Sequence, residues 1–140
     1  MARGRRTVLT FGVYDMFHVG HLNLLESAKK FGDYLVVGVG SDKSVEDEPR
    51  KKLKTVIPED QRLKIIQSLK CVDEAFIYTD YNDLNKAIVE IDPDIYVRGS
   101  DWREDFPGEN SLKVLHIPVA FVPYTEGISS TKIKEKLCSK

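Results

Sequence analysis

Cysteine is scarce in this chain, and the two present, Cys71 and Cys138, are too far apart to form a metal-ligand pair. A disulfide framework is therefore not expected, and so few thiols fit a reducing compartment. A charge excess is missing too: 21 Lys and Arg face 22 Asp and Glu, for a net charge of -1. General nucleic-acid binders carry a strong basic excess, so that class is not expected. No apolar run approaches the roughly 20 residues that cross a bilayer. The stretch behind the basic start MARGRR is also too short for a signal peptide. The cytoplasm is the expected compartment, with no nucleic-acid and no membrane partner. Internal repeats, low-complexity tracts and interdomain linkers are lacking as well, and residues 1–140 read as one domain.

What the sequence does contain is alternation. TVLTFG (7–12) is β-rich, and HLNLLESAKKFG (21–32) sets Leu22, Leu24, Leu25 and Ala28 near helical spacing before a glycine. DYLVVGVGSD (33–42) is a continuous apolar run, the pattern of a strand buried on both faces. PEDQRLKIIQSLK (58–70) opens with proline and acidic residues, the favoured chemistry of a helix start. EAFIY (74–78), DIYVRG (94–99) and PVAFVP (118–123) read as strands, NDLNKAIVEI (82–91) and SSTKIKEKL (129–137) as helices. Strands alternating with helices predict an α/β fold, a doubly wound parallel sheet with both faces covered. Ligands of such sheets bind beyond the carboxyl ends of the strands. The unusual residues gather there: GVYDMFHVGH after the first strand, SDKSVEDEPRKKLK after the second, RGSDW after the fourth and YTEGISST after the last.

Three readings compete for His18 and His21. A zinc pair lacks partners, because zinc takes three or four ligands and the remaining histidine, His116, lies beside a different strand. A plain helix start accounts for Gly20 and the leucines behind it, but gives no reason for two imidazoles. A phosphate site explains more. A helix beginning near Gly20 aims free N–H groups and a positive dipole end at the loop. Residues three apart share a face, so both rings reach the same phosphate chain, and each offers an N–H donor.

HVGH after TFGVYD resembles the HxGH motif of the cytidylyltransferase-like nucleotidyltransferases, and YTEGISSTKI (124–133) resembles that family's C-terminal signature. The segments FGVYDMFHVGHLNLLESAKKFGDYLVVGVGSD, RGSDW and TEGISSTKI are most similar to glycerol-3-phosphate cytidylyltransferases, from about Thr7 to Leu137. The resemblance implies a Rossmann-like single-domain enzyme, working as a homodimer with Mg²⁺. It would pass a cytidylyl group from CTP to a small phosphorylated alcohol, glycerol 3-phosphate first, giving CDP-glycerol and pyrophosphate. Carried over residue by residue, it makes His18, His21, Lys51 and Arg62 catalytic. Lys52 is the second choice for the lysine that closes over the phosphates, and Lys54 belongs to the same basic run. Gly12, Val13, Tyr14, Asp15, Gly20, Asp101, Tyr124, Thr125, Gly127, Ile128, Ser129, Ser130 and Thr131 would surround the nucleotide. Asp15 and Trp102 would meet the acceptor.

Each of these positions has a bland counterpart. EPRKKLK (48–54) has the composition of a solvated loop, and Arg62 of a surface residue beside Glu59. Asp15 and Asp101 suit turn caps, Trp102 suits a core, and residues 125–131 suit an ordinary capped helix. His116, Cys71 and Cys138 are read as structural or incidental. Two departures from the pattern stand out. Tyr124 occupies a position where many cytidylyltransferases have arginine, and YTDYND (78–83) is acidic where some glycerol-3-phosphate enzymes carry a lysine. With VRGSD, these features lean toward adenylyltransferases that act on a heptose 1-phosphate. That reading and a non-catalytic nucleotide-binding module are the alternatives.

Overall fold

Six consecutive residues, Leu35 to Gly40, are buried, and they form most of strand β2 (Tyr34–Gly40). A run with no polar face has to lie inside a sheet covered on both sides. The computed structural model, which describes residues 5–46, 54–99, 108–123 and 125–138, places it there. β2 pairs in parallel with β1 (Thr7–Gly12) on one side and β3 (Glu74–Tyr78) on the other. Beyond β1 lie β4 (Ile95–Gly99) and β5 (Val119–Val122), also parallel, giving the order β3-β2-β1-β4-β5. The order reverses between β1 and β4, so the crevice for a ligand opens above the carboxyl end of β1.

Side chains alternate across this sheet and define two cores. Val8, Leu35, Val37, Val39, Ile95 and Val97 share one core with Leu25 and Ala28 of α1 (Val19–Lys29) and Ile66 of α3 (Glu59–Gln67). Leu9, Val36 and Tyr96 share the other with Ile88 of α4 (Tyr81–Ile91) and Leu112 of α5 (Glu109–Val114). Burial of these aliphatic side chains, about 1.5–3 kcal/mol each, is the main stabilising term. A sixth helix, α6 (Ser130–Cys138), closes the chain. Among the described residues no helix is long and apolar enough to cross a membrane.

The strands and longer helices lie where the apolar periodicity predicts, with ends shifted by at most three residues. Two short helices carry no such signal. α2 (Asp42–Glu46) is a five-residue turn held by Ser41, whose Oγ accepts from Ser44 N at 3.1 Å. α5 begins at Gly108 in the left-handed region (φ +84°) and is tied to α4 by the Ser111 hydroxyl donating to Asn85 Oδ1 at 2.7 Å. The acidic segment 78–83 runs from the end of β3 into the first turn of α4, with Asp80 Oδ1 accepting from Asp83 N at 2.9 Å and Asp83 Oδ2 from Thr79 N at 2.8 Å.

Candidate active site

The loop after β1 turns sharply, with Tyr14 and Met16 both in the left-handed region (φ +59° and +50°). Gly12 makes room for it: a Cβ there would lie 2.5 Å from Cζ of the Tyr14 ring, which folds back over the strand end. The turn delivers His18 to the N-cap of α1, where its Nδ1 accepts from Gly20 N at 3.0 Å. His21 reciprocates, its Nδ1 accepting from His18 N at 3.3 Å. The pair is a capping box built from two imidazoles. The helix-start reading therefore does have a reason for both histidines, contrary to the sequence expectation. Gly20 belongs to the same arrangement, since a Cβ there would meet the His18 ring at 2.9 Å.

Capping fixes the chemistry of the rings. A nitrogen that accepts from a backbone N–H carries no proton, so each neutral imidazole holds its hydrogen on Nε2. The rings stack with centroids 3.8 Å apart and 21° between planes. His21 also packs against Phe17 and Tyr14, each with centroids 5.4 Å away. His18 Nε2 is buried and has no hydrogen-bond partner among the described residues. Burial lowers the His18 pKa below its ordinary value, which favours the neutral ring the cap requires.

The segment before α6 stands opposite. Ile128 lies against Gly20, and Thr125 Oγ1 accepts from Asn23 Nδ2 of α1 at 2.9 Å. Gly127 makes the turn at φ +83°, and Ser129 caps α6 by accepting from Lys132 N at 3.0 Å. The Ser130 hydroxyl donates to the Asp15 carbonyl and lies 3.5 Å from His21 Nε2. Thr131 is exposed in the first turn. The positive ends of two helices thus converge where the histidines present Nε2.

Asp15 is 2 % exposed and its carboxylate is fully engaged. Oδ2 accepts from Val56 N at 2.8 Å and Oδ1 from Ile57 N at 2.9 Å. Lys134 Nζ of α6 lies 2.5 Å from Oδ2. Burial alone would raise this carboxyl, but the Lys134 ammonium and the two amides outweigh it and hold its pKa below the ordinary value. Asp15 is therefore a joint between segments, its carboxylate held by Lys134 and two amides.

Arg62 departs from the reading of a surface residue. It is 1 % exposed, so it is no surface residue. Its Nε donates to Ile57 O at 2.8 Å, its Nη1 to Val13 O at 2.7 Å and Gly40 O at 2.6 Å, and its Nη2 to Asp42 Oδ1 at 2.6 Å. Four of the five guanidinium N–H groups are thereby occupied. The side chain bolts the ends of β1 and β2 to the segment before α3. Glu59, expected beside it, instead accepts from Asp42 N at 2.9 Å.

Lys51, Lys52, Asp101, Trp102 and Tyr124 lie outside the described residues. Sequence reasoning passed over Lys134 and Asp42. Lys134 carried one usable signal, its place one helical turn after Ser130 on the same face of α6. Among the described residues no three His, Cys, Asp or Glu side chains converge on a metal position.

A parallel sheet with a switch point above β1, two helix N-termini and a pair of Nε2 donors defines a nucleotidyltransferase of the Rossmann-like class. The chain belongs to the cytidylyltransferase-like family, whose profile matches residues 9–136. It is 36 % identical over 132 residues to glycerol-3-phosphate cytidylyltransferase of Bacillus subtilis, covering 94 % of this chain and 97 % of that protein. It is also 36 % identical to FAD synthase of Ferroglobus placidus, over 94 % of this chain and 88 % of that protein. Among solved structures, the lipopolysaccharide core biosynthesis protein of Thermoplasma volcanium superposes with a TM-score of 0.70 at 33 % identity, over 87 % of this chain and 98 % of that one.

Proposed function

We propose that the enzyme transfers a cytidylyl group from CTP to glycerol 3-phosphate, giving CDP-glycerol and pyrophosphate. An oxygen of the acceptor phosphate attacks the α-phosphorus of CTP. The bond from that phosphorus to the α,β-bridging oxygen breaks, and pyrophosphate leaves with the oxygen and its electron pair. A phosphate monoester has a second pKa near 6, so the attacking group is already largely dianionic at neutral pH and needs no general base. The chemistry then requires positioning and stabilisation of charge on the transferring group and pyrophosphate. The observation that carries this reading is the pair of imidazoles whose Nδ1 atoms are fixed by the backbone, leaving Nε2–H of His18 and His21 as oriented donors. The first turns of α1 and α6 add amides and favourable dipole ends. Lys51, or Lys52 in its place, would supply the cation over the α- and β-phosphates.

Side chains and metal fit only loosely here. Asp15, the carboxylate that follows β1, is occupied by Lys134 and two amides. Mg²⁺ is therefore assigned to the triphosphate as part of the substrate, the usual manner in which it reaches phosphoryl-transfer sites.

The choice of CTP and glycerol 3-phosphate rests on the likeness, nearly end to end, to the Bacillus subtilis relative. A homodimer in the cytoplasm belongs to the same proposal. The second reading, adenylyl transfer to a sugar phosphate, is favoured by Tyr124 in the arginine position and by the acidic start of α4. Pyrophosphate release measured across a matrix of CTP and ATP with glycerol 3-phosphate, a heptose 1-phosphate and flavin mononucleotide separates them. CTP with glycerol 3-phosphate is expected to give the highest kcat/KM. Preference for ATP with any acceptor would replace the cytidylyl assignment.

A further inference from the structure

Three segments remote in sequence meet at Lys134. Its ammonium, on a side chain only 11 % exposed, lies 2.5 Å from Asp15 Oδ2 in the loop after β1. The same ammonium donates to the carbonyl of Lys54 at 2.8 Å, where the basic run of the sequence ends. Asp15 in turn accepts from the amides of Val56 and Ile57, just beyond Lys54. One helical turn before Lys134, Ser130 donates to the carbonyl of Asp15 and sits beside His21 Nε2. Lys134 therefore connects the helix that starts at the hydroxyl cluster, the loop that ends at the histidines, and residues 54–57.

The Asp15–Lys134 pair is nearly buried and completed by two amides and one carbonyl. A buried ion pair is a poor source of stability unless such hydrogen bonds complete it, and its better-attested use is to fix one arrangement out of several. Here the pair joins residues 54–57, the loop that runs on to the histidines, and α6. We propose that Lys134 is a positioning residue for nucleotide binding: by holding Asp15 and the Lys54 carbonyl together, it sets the backbone of residues 54–57 against the histidines and the start of α6. The proposal rests on the nucleotidyl-transfer reading of the site.

Groups that bind the triphosphate alike before and during reaction act on affinity and leave the chemical step unchanged. Losing the Lys134 contact is thus expected to raise the nucleotide KM while sparing kcat. Lys134→Met should weaken CTP binding, measured by calorimetry with Mg²⁺ and no acceptor, by 10-fold or more, with kcat at saturation within 3-fold of wild type. Lys134→Gln, which keeps an N–H donor for Lys54 but not the charge, should fall between the two, and it carries the measurement if the Met variant does not fold. Lys136→Met removes an equal charge from an exposed position of α6 and should leave the dissociation constant within 2-fold. A purely structural role predicts the reverse pattern, an unchanged dissociation constant with activity falling in step with the folded fraction. That pattern in both Lys134 variants overturns the proposal, as does an equal loss of affinity in Lys136→Met. Wild-type pyrophosphate release tests the parent reading separately, because the Lys134 result is read from binding alone.

Discussion

Replacing His18 by asparagine separates two jobs that one imidazole performs. Its Nδ1 caps α1 through Gly20 N at 3.0 Å, and its Nε2–H is the donor proposed for the transferring phosphoryl. Asparagine is among the best N-cap residues, and its short side chain reaches the same amide but not the Nε2 position. Losing a cap altogether costs about 1 kcal/mol, or about 4 °C in melting temperature for a domain of this size. Losing one oriented transition-state donor costs about 10²–10³ in kcat. His18→Asn is therefore expected to melt within about 1 °C of wild type while turnover falls about 100-fold. His18→Ala should lose the same activity and additionally melt about 4 °C lower. Continuous pyrophosphate release and scanning calorimetry on the same preparations read both quantities. Turnover of His18→Asn within 3-fold of wild type would refute the donor role. A loss of stability equal to that of the alanine variant would refute the capping argument.

Arg62→Met strands the carbonyls of Val13, Gly40 and Ile57. At roughly 1–3 kcal/mol for each buried unsatisfied group, the loss should reach about 3–9 kcal/mol, and a denaturant midpoint close to wild type would contradict the bolt assignment. The lowered pKa of His18 makes the unfolded chain bind more protons just below pH 6.5, so stability should rise with pH up to about 6.5 and level off above it. His18→Asn should flatten that part of a urea-midpoint profile. Asp15, Asp42 and Asp73 act at lower pH. Burial pushes each up, but Lys134 at Asp15, Arg62 at Asp42 and Lys29 at Asp73 hold each below its ordinary value. Their contribution should be complete above about pH 4 and lost as pH falls below it. Lys51→Ala and Lys52→Ala should have unequal effects on nucleotide KM, because one lysine suffices over the phosphates, and small equal effects would return the run to a solvated loop.

The strands were legible because a parallel sheet covered on both faces demands runs such as Leu35–Val39, which no loop needs. The short helices α2 and α5 were not, because a single turn has no periodicity to display and owes its existence to Ser41 and Gly108. At the site the histidines were legible by type and spacing. Their capping role was not, since imidazole is rarely the side chain at an N-cap. The burial of Arg62 was not legible because its partners, three carbonyls and the Asp42 carboxylate, are brought together only by the fold. Lys134 was hidden for a related reason: in TKIKEKL it is one lysine in an ordinary charged helix, and only Asp15, more than a hundred residues away, marks it out.

None of the described residues of α6 is buried. The helix is therefore fastened to the sheet chiefly by polar links at Ser130 and Lys134 rather than by a hydrophobic face. Elements with little buried apolar surface open at a small fraction of the global unfolding free energy. Each such opening carries Ser130 away from His21 and releases Asp15, so the site comes apart while both cores stay intact. Warming the enzyme should then silence it reversibly several degrees before it melts. Amides of α6 should exchange with solvent far sooner than those of β1 and β2.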